Sequence, residues 1–283
     1  MAGTLWKVAG QTIDLSDNAL LMGVLNVTPD SFSDGGQFFT TEQAVEHGLR
    51  MAADGAQIID VGGESTRPGA APVSIDEELG RVLPVIKRLR DKISAFISID
   101  TTKAPVALAA LEAGASIVND VSGGRADPEM MKVAAKKKAA FVVMHMQGTP
   151  QTMQMNPRYD DVVADVVDFF RQQYACALES SIDSMAIAFD PGIGFGKTVE
   201  HNLELLANLG RLRIHDHPLV VGVSRKSFLG KIIGSTDIND RLGPTIAFTA
   251  LLRQRGANVL RVHDVKENAA ALRVAERLLG IAQ

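Results

Sequence analysis

One event recurs along the chain: a run of about five to seven apolar residues ends in Asp, Asn, His, Arg or Ser, and a helix-like segment follows. A run that short is a strand rather than a helix. Its continuous hydrophobicity, without alternation, marks a strand buried on both faces. The runs fall at 20–26, 57–61, 95–100, 116–120, 140–145, 185–190, 219–224 and 258–263. Eight strand-helix beats in 283 residues predict an α/β fold, a closed parallel (β/α)8 TIM barrel. An open doubly wound sheet is the rival. It commonly has fewer strands and relies on one glycine-rich turn, whereas here almost every strand ends in a polar residue.

Ahead of the barrel, residues 4–16 alternate apolar and polar about Gly10-Gln11, which predicts a short N-terminal β-hairpin within 1–18, with Trp6 as a plug. No linker divides the rest, so 1–283 reads as a single domain. Helix signals fall between the strands. Thr40 or Thr41 caps a helix from about 41; Ser74 and Glu77 form a capping-box pattern opening a helix through about 89, with Pro84 inside it. Gly114 suits a left-handed cap, Asp127-Pro128 opens the next helix, and further helices are expected over 161–178 and 266–279.

A hydrophobic content of 46% supplies a large core. The net charge is −4, and no like-charge block exceeds Lys136-Lys137-Lys138, read as a solvated helix end, so a nucleic-acid surface is not indicated. No run reaches the roughly 18 apolar residues of a membrane span, and no export signal opens the chain, so a soluble, cytoplasmic protein is expected. The single Cys176, between two alanines, is expected to be a buried, inert thiol in a reducing compartment.

In such a barrel all strand-to-helix loops meet at one mouth. Brought there are Asn26, Thr66, Arg67, Asp100, Asn119, His145, Asp190, Ser224, Lys226, Arg261 and His263. They divide into two chemistries. Asp100, Asn119, Asp190 and Lys226 suit a flat heterocycle that presents both amide donors and acceptors. Arg67, Arg261 and His263 suit phosphate oxygens. Each also has a plainer reading. Asp100 equally fits a helix cap through Thr102, Asn119-Asp120 beside Ser-Gly-Gly fits turn chemistry, and Arg261 or His263 fits an ion pair with Asp264 or Glu267. His145 reads as structural. Gly196-Lys197-Thr198 matches the end of a P-loop, but Pro191 stands where the motif needs its first glycine, and that reading is rejected. The glycines there let backbone pass close to a ligand held by Asp190.

Six segments, taken together, are similar to the dihydropteroate synthases: 23–36 (GVLNVTPDSFSDGG), 60–69 (DVGGESTRPG), 98–101 (SIDT), 119–124 (NDVSGG), 190–197 (DPGIGFGK), and 224–227 (SRKS) with 261–264 (RVHD). They span nearly the whole chain in order. The resemblance implies the folate-pathway enzyme targeted by sulfonamides, which joins 4-aminobenzoate to a dihydropterin methyl diphosphate with magnesium present. By that resemblance Asp100, Asn119, Val121, Met144, Asp190, Phe195 and Lys226 would hold the pterin. Asn26, Thr66, Arg67, Arg261 and His263 would surround the diphosphate, with Asn26 on the Mg2+. Phe32, Thr66, Pro68 and Ser224 would form the 4-aminobenzoate slot. Arg67, Asp34, Lys226 and Asp100 would carry catalysis, through closure of the first two loops after C-O cleavage rather than through a strong base. A homodimer is implied as well. One departure stands at 243–247, Gly-Pro-Thr-Ile-Ala, where the pattern has Gly-Ser or Gly-Thr; it lies away from the pocket. The alternative is a pterin-binding methyltransferase module that donates to a corrinoid protein. Such a module would share the pterin carboxylates and would not need Thr66-Arg67-Pro68 or Arg261-Val262-His263.

Overall fold

A computed structural model describes residues 3–28, 40–66 and 69–282. The hairpin forms as expected, with β1 (Leu5–Val8) antiparallel to β2 (Gln11–Asp14). The barrel follows as β3 (Leu20–Asn26), β4 (Ile58–Gly62), β5 (Phe96–Asp100), β6 (Ile117–Asp120), β7 (Ala140–Met144), β8 (Ile187–Asp190), β9 (Val220–Val221) and β10 (Val259–Val262). Every barrel ladder is parallel; β10 pairs with both β3 and β9, and a single bridge between Phe189 and Leu219 joins β8 to the β9 side. The eight strands therefore close into a barrel, and its weakest seam lies at β9.

The helices α1 (Thr41–Ala53), α2 (Ile75–Leu89), α3 (Ala104–Ala113), α4 (Met130–Lys137), α5 (Val162–Glu179), α6 (Val199–Ala207), α7 (Ser227–Ile233), α8 (Leu242–Gln254) and α9 (Val265–Ala282) surround the strands. None among the described residues is long and apolar enough to cross a membrane. Thr40 caps α1 in a full capping box with Gln43. For α2 only half of the box forms. Ser74 accepts from the Glu77 amide, but the Glu77 carboxylate turns to Arg81.

Three expectations are corrected. Asp127 does not cap α4, which begins at Met130 after Glu129. Its carboxylate instead accepts from the Glu129 amide at 3.0 Å and from the Ala104 amide at 2.8 Å, so it caps α3, whose own N-cap Lys103 offers no acceptor. Cys176 is exposed rather than buried, because the inner face of α5 thins toward its end and only Ala177 is buried over 171–179. The seventh strand is two residues long where 219–224 was expected, because the chain turns into the Ser224-Arg225-Lys226 segment at once.

Trp6 is fully buried, and its indole Nε1 donates to the Ala186 carbonyl at 3.1 Å, just before β8. The hairpin thus stoppers the foot of the barrel, opposite the mouth. Removing the indole leaves a large cavity and an unpaired carbonyl. Trp6→Ala should lower the unfolding free energy by about 3–5 kcal/mol, read by urea titration with circular dichroism. A loss below about 1 kcal/mol would show that the hairpin is not a plug.

Candidate active site

Strand register sets the mouth. Asn26 pairs with Gly62, Gly62 with Asp100, and Asp100 with Asn119, so four strand ends from β3 to β6 lie in one row. Within that row Gly62 carries no side chain; a Cβ there would stand 3.5 Å from the Asp100 Cβ and 3.7 Å from Asn26 Oδ1. The two polar side chains therefore face one another across bare backbone. On β7 and β8, Met144 pairs with Asp190.

Arg261 of β10 crosses the barrel centre. Its Nε donates to Asp60 Oδ2 and its Nη2 to Asp100 Oδ2, each at 2.7 Å, and Asn119 Nδ2 donates to the same Asp60 oxygen at 2.9 Å. Asp60 is fully buried, and among the described residues its Oδ1 has no hydrogen-bond partner. Burial raises the Asp100 carboxyl to about 7 against the pull of Arg261. Burial works the other way on Arg261, but the Asp60 and Asp100 carboxylates outweigh it and keep the guanidinium above its ordinary range. Sequence reasoning put Arg261 among phosphate ligands and Asp100 among heterocycle ligands; the structure joins them in one ion network. It also adds Asp60, whose signal was legible as the one charge inside the apolar stretch Ile58-Ile59-Asp60-Val61.

The other half of the mouth belongs to β8 and its loop. Asp190 is buried and accepts from the Gly192 amide at 2.7 Å; desolvation raises its pKa while Lys226 opposes the rise. Lys226, lowered by burial to about 8, donates to the Ile193 carbonyl and stands 4.9 Å from the Phe195 ring centre. Phe195 packs on Val121, Met144, Met146 and Met153, an apolar wall beside the polar row. The glycine run has a structural cause. A Cβ on Gly192 would fall 1.8 Å from the His145 carbonyl oxygen, and the residue's φ is +64°. Lys197, the residue that mimicked a P-loop lysine, is buried and points inward. Its Nζ is 3.0 Å from His145 Nδ1, from the Gly192 carbonyl and from the Phe195 carbonyl, which ties the loop together and gives His145 a partner within the fold.

Ser224 Oγ lies 3.0 Å from His263 Nδ1 and accepts from the His263 amide at 3.1 Å. Asp264, the partner considered for Arg261 or His263, takes Arg225 in a two-point ion pair instead. A cavity of about 390 Å3 opens beside the network. Thr66, Asp100 and Val121 line it, together with the Gly148–Gln151 stretch of the long loop after β7 and Arg125, which the sequence did not single out. Because the central charged side chains meet one another directly, the open volume lies toward the second loop. Phe32, Asp34, Arg67 and Pro68 lie outside the described residues, so their assignments rest on sequence alone.

A family model described as pterin binding enzyme matches residues 22–263. The dihydropteroate synthase of Synechocystis sp. is 46% identical over 270 residues, covering 95% of this chain and 93% of that protein. A dihydropteroate synthase from Xanthomonas albilineans, solved with 4-aminobenzoic acid, superposes with a TM-score of 0.91 at 43% identity, covering 98% of this chain and 99% of that one. A further structure from the same organism, in complex with 7,8-dihydropteroate, gives 0.87 at 41% identity over 97% and 98% of the two chains. With a barrel mouth built from the same strand ends that carry the sequence likeness, the chain belongs to the pterin-binding enzymes, in the dihydropteroate synthase family.

Proposed function

We infer that the chain joins the amine of 4-aminobenzoate to the methylene carbon of (7,8-dihydropterin-6-yl)methyl diphosphate, forming 7,8-dihydropteroate and releasing diphosphate. Asp100 and Asn119 of the polar row, with buried Asp190 on the β8 side and the Met144 and Phe195 wall, are the observation that carries this reading. A flat heterocycle with ring N-H and amino groups meets carboxylate acceptors on one side and an apolar face on the other. The relatives solved with 4-aminobenzoic acid and with 7,8-dihydropteroate support both ends of the reaction.

In the step itself the C-O bond breaks with its electron pair leaving on diphosphate, and the arylamine lone pair forms the new C-N bond. The arylammonium proton then passes to diphosphate or water. An arylamine is nucleophilic without a base, so the chain's task is to bind, orient and exclude water. Asp100, Asn119, Asp190 and Lys226 orient the pterin. Arg261 and His263 lie on the diphosphate side, Ser224 toward the aminobenzoate carboxylate. Thr66 stands where the cavity meets the second loop, and Asn26 closes the row. The roles of Asp34 and Arg67 in catalysis, and of Phe32 and Pro68 in the aminobenzoate slot, remain those the family resemblance implies.

Among the described residues no group of three or more His, Cys, Asp or Glu is arranged to hold an ion. Asn26 offers one neutral oxygen, a donor set that suits a magnesium ion carried mainly by diphosphate oxygens. Such an ion would supply charge neutralisation for the departing group. We place the reaction in the cytoplasm, where a chain with one unpaired cysteine stays reduced. Residues 1–283 act as one unit, in line with the hydrophobic cluster that runs from Trp6 to Leu272. A homodimer through the last helices fits the exposed Leu251 of α8 and the exposed Val274 and Leu278 of α9.

Mixing the pterin diphosphate, 4-aminobenzoate and magnesium with the protein should release diphosphate; well-folded protein that releases none would overturn the reading. The free-enzyme pH profile follows from the two shifted groups. Asp100 offers two charged acceptor oxygens only when ionised, and protonation turns one of them into a donor, so kcat/KM for the pterin substrate should rise through about pH 7. Lys226 donates as a cation only when protonated, so the profile should fall through about pH 8. Asp100→Asn should remove the acid limb and lower kcat/KM about 10- to 100-fold, the loss of a charged hydrogen bond. A flat wild-type profile across this range would refute the two roles. In sedimentation velocity, Val274→Glu combined with Leu278→Glu should convert a dimer to a monomer, and an unchanged mass would remove these helices from the interface.

A further inference from the structure

A second charge network stands at the rim of the mouth, apart from the central one. Lys103, three residues past Asp100, reaches two carboxylates from different elements. One is Glu64, two residues past the end of β4, and the other is Glu78 on the inner face of α2, at 2.5 Å. Glu78 is fully buried, and among the described residues its Oε1 has no hydrogen-bond partner. One turn further along α2, Arg81 Nη1 donates to the Gly63 carbonyl at 2.7 Å. Backbone and helix are pressed together here: a Cβ on Gly63 would stand 2.8 Å from Val82 Cγ1 and 2.9 Å from Glu78 Cγ. The chain leaving β4 is thus fastened to α2 by two cations, one through its carbonyl and one through its carboxylate. Glu64, Ser65 and Thr66 then line the cavity beside Asp100 and Thr101.

Burial alone would lower the Lys103 pKa, but its hydrogen bonds to Glu64 and Glu78 outweigh that and raise it, so the ammonium stays charged. A buried carboxylate whose cation is removed must protonate, draw in water or move. Glu78 cannot move far, since α2 packs against β4 around it. The adjustable partner is the 63–66 segment.

We propose that Lys103 is a positioning residue for the reaction: by holding Glu64 and Glu78 at once it fixes the 63–66 segment on α2 and sets where Ser65 and Thr66 meet the substrate cavity. The kinetic half of this rests on the synthase reading given above; the structural half does not. Lys103 touches no reacting atom, and its removal acts on the wall of the site.

The test is amide hydrogen exchange by mass spectrometry on Lys103→Met, Lys103→Arg and Glu64→Gln, with steady-state kinetics alongside. In Lys103→Met, exchange over 63–66 should quicken about tenfold while peptides of β7 and α5 keep wild-type protection. The KM for 4-aminobenzoate should rise about tenfold with kcat held within about threefold. Lys103→Arg, which keeps the cation, should recover most of both. Glu64→Gln, which leaves the Lys103–Glu78 pair intact, should loosen the same segment by a smaller factor, and it decides the matter if Lys103→Met loses protection throughout the barrel. Unchanged exchange over 63–66 in Lys103→Met, or in Glu64→Gln in that case, would overturn the proposal. So would a fall in kcat without a rise in KM. If wild-type protein releases no diphosphate, the synthase reading fails, while the exchange data still judge the clamp.

Discussion

The architecture depends on one guanidinium shared by two buried carboxylates. Arg261 comes from the last strand, Asp60 and Asp100 from the second and third barrel strands, and Asn119 from the fourth. In a low-dielectric interior an unpaired charge at any of these positions would be intolerable, so each strand end is held in register by the others. The backbone needs that help. Closure of the barrel rests on a two-residue β9 and one bridge, and the side-chain network spans from β10 to β6 across the barrel interior. The charged floor of the mouth and the closure of the barrel thus use the same atoms.

Above that base the mouth has two unlike halves. The β3 to β6 side is a row of polar ends set by strand register. The β8 side is a glycine-rich loop wound about the buried Lys197 Nζ, which donates to its backbone carbonyls. The two lysines on this side of the mouth, Lys197 and Lys226, therefore do different work. Lys197 is enclosed by its own loop, whereas Lys226 lies between a carbonyl and the Phe195 ring with Asp190 nearby. Rim and centre each pair a cation with two carboxylates.

The fold was legible because a buried parallel strand writes itself as an unbroken apolar run, and eight of them allow few closures. Strand ends were legible too, since a polar residue closing an apolar run marks the mouth: Asp100, Asn119, Asp190, Lys226 and Arg261 all arrive there. What stayed hidden was pairing. Nothing local in Arg261-Val262-His263 says that the arginine meets Asp60 and Asp100 rather than Asp264, because those partners lie some 160 to 200 residues away. Asp127 shows the same gap at a helix end. Its sequence context pointed to α4, while the amide it caps belongs to α3, brought near only by the barrel. Exposure of Cys176 was misjudged for a related reason, since flanking alanines describe composition and not which side of a helix faces the strands.

That exposed sulfur gives the molecule a practical property. Cys176 sits near the C-terminal end of α5, a helix that runs from the mouth down to the foot of the barrel, and it is the only cysteine in the chain. A maleimide dye or spin label attached there would be unique without any background thiols to remove. It would stand on the far side of the barrel from the chemistry, and so would report on assembly or tumbling while leaving turnover undisturbed.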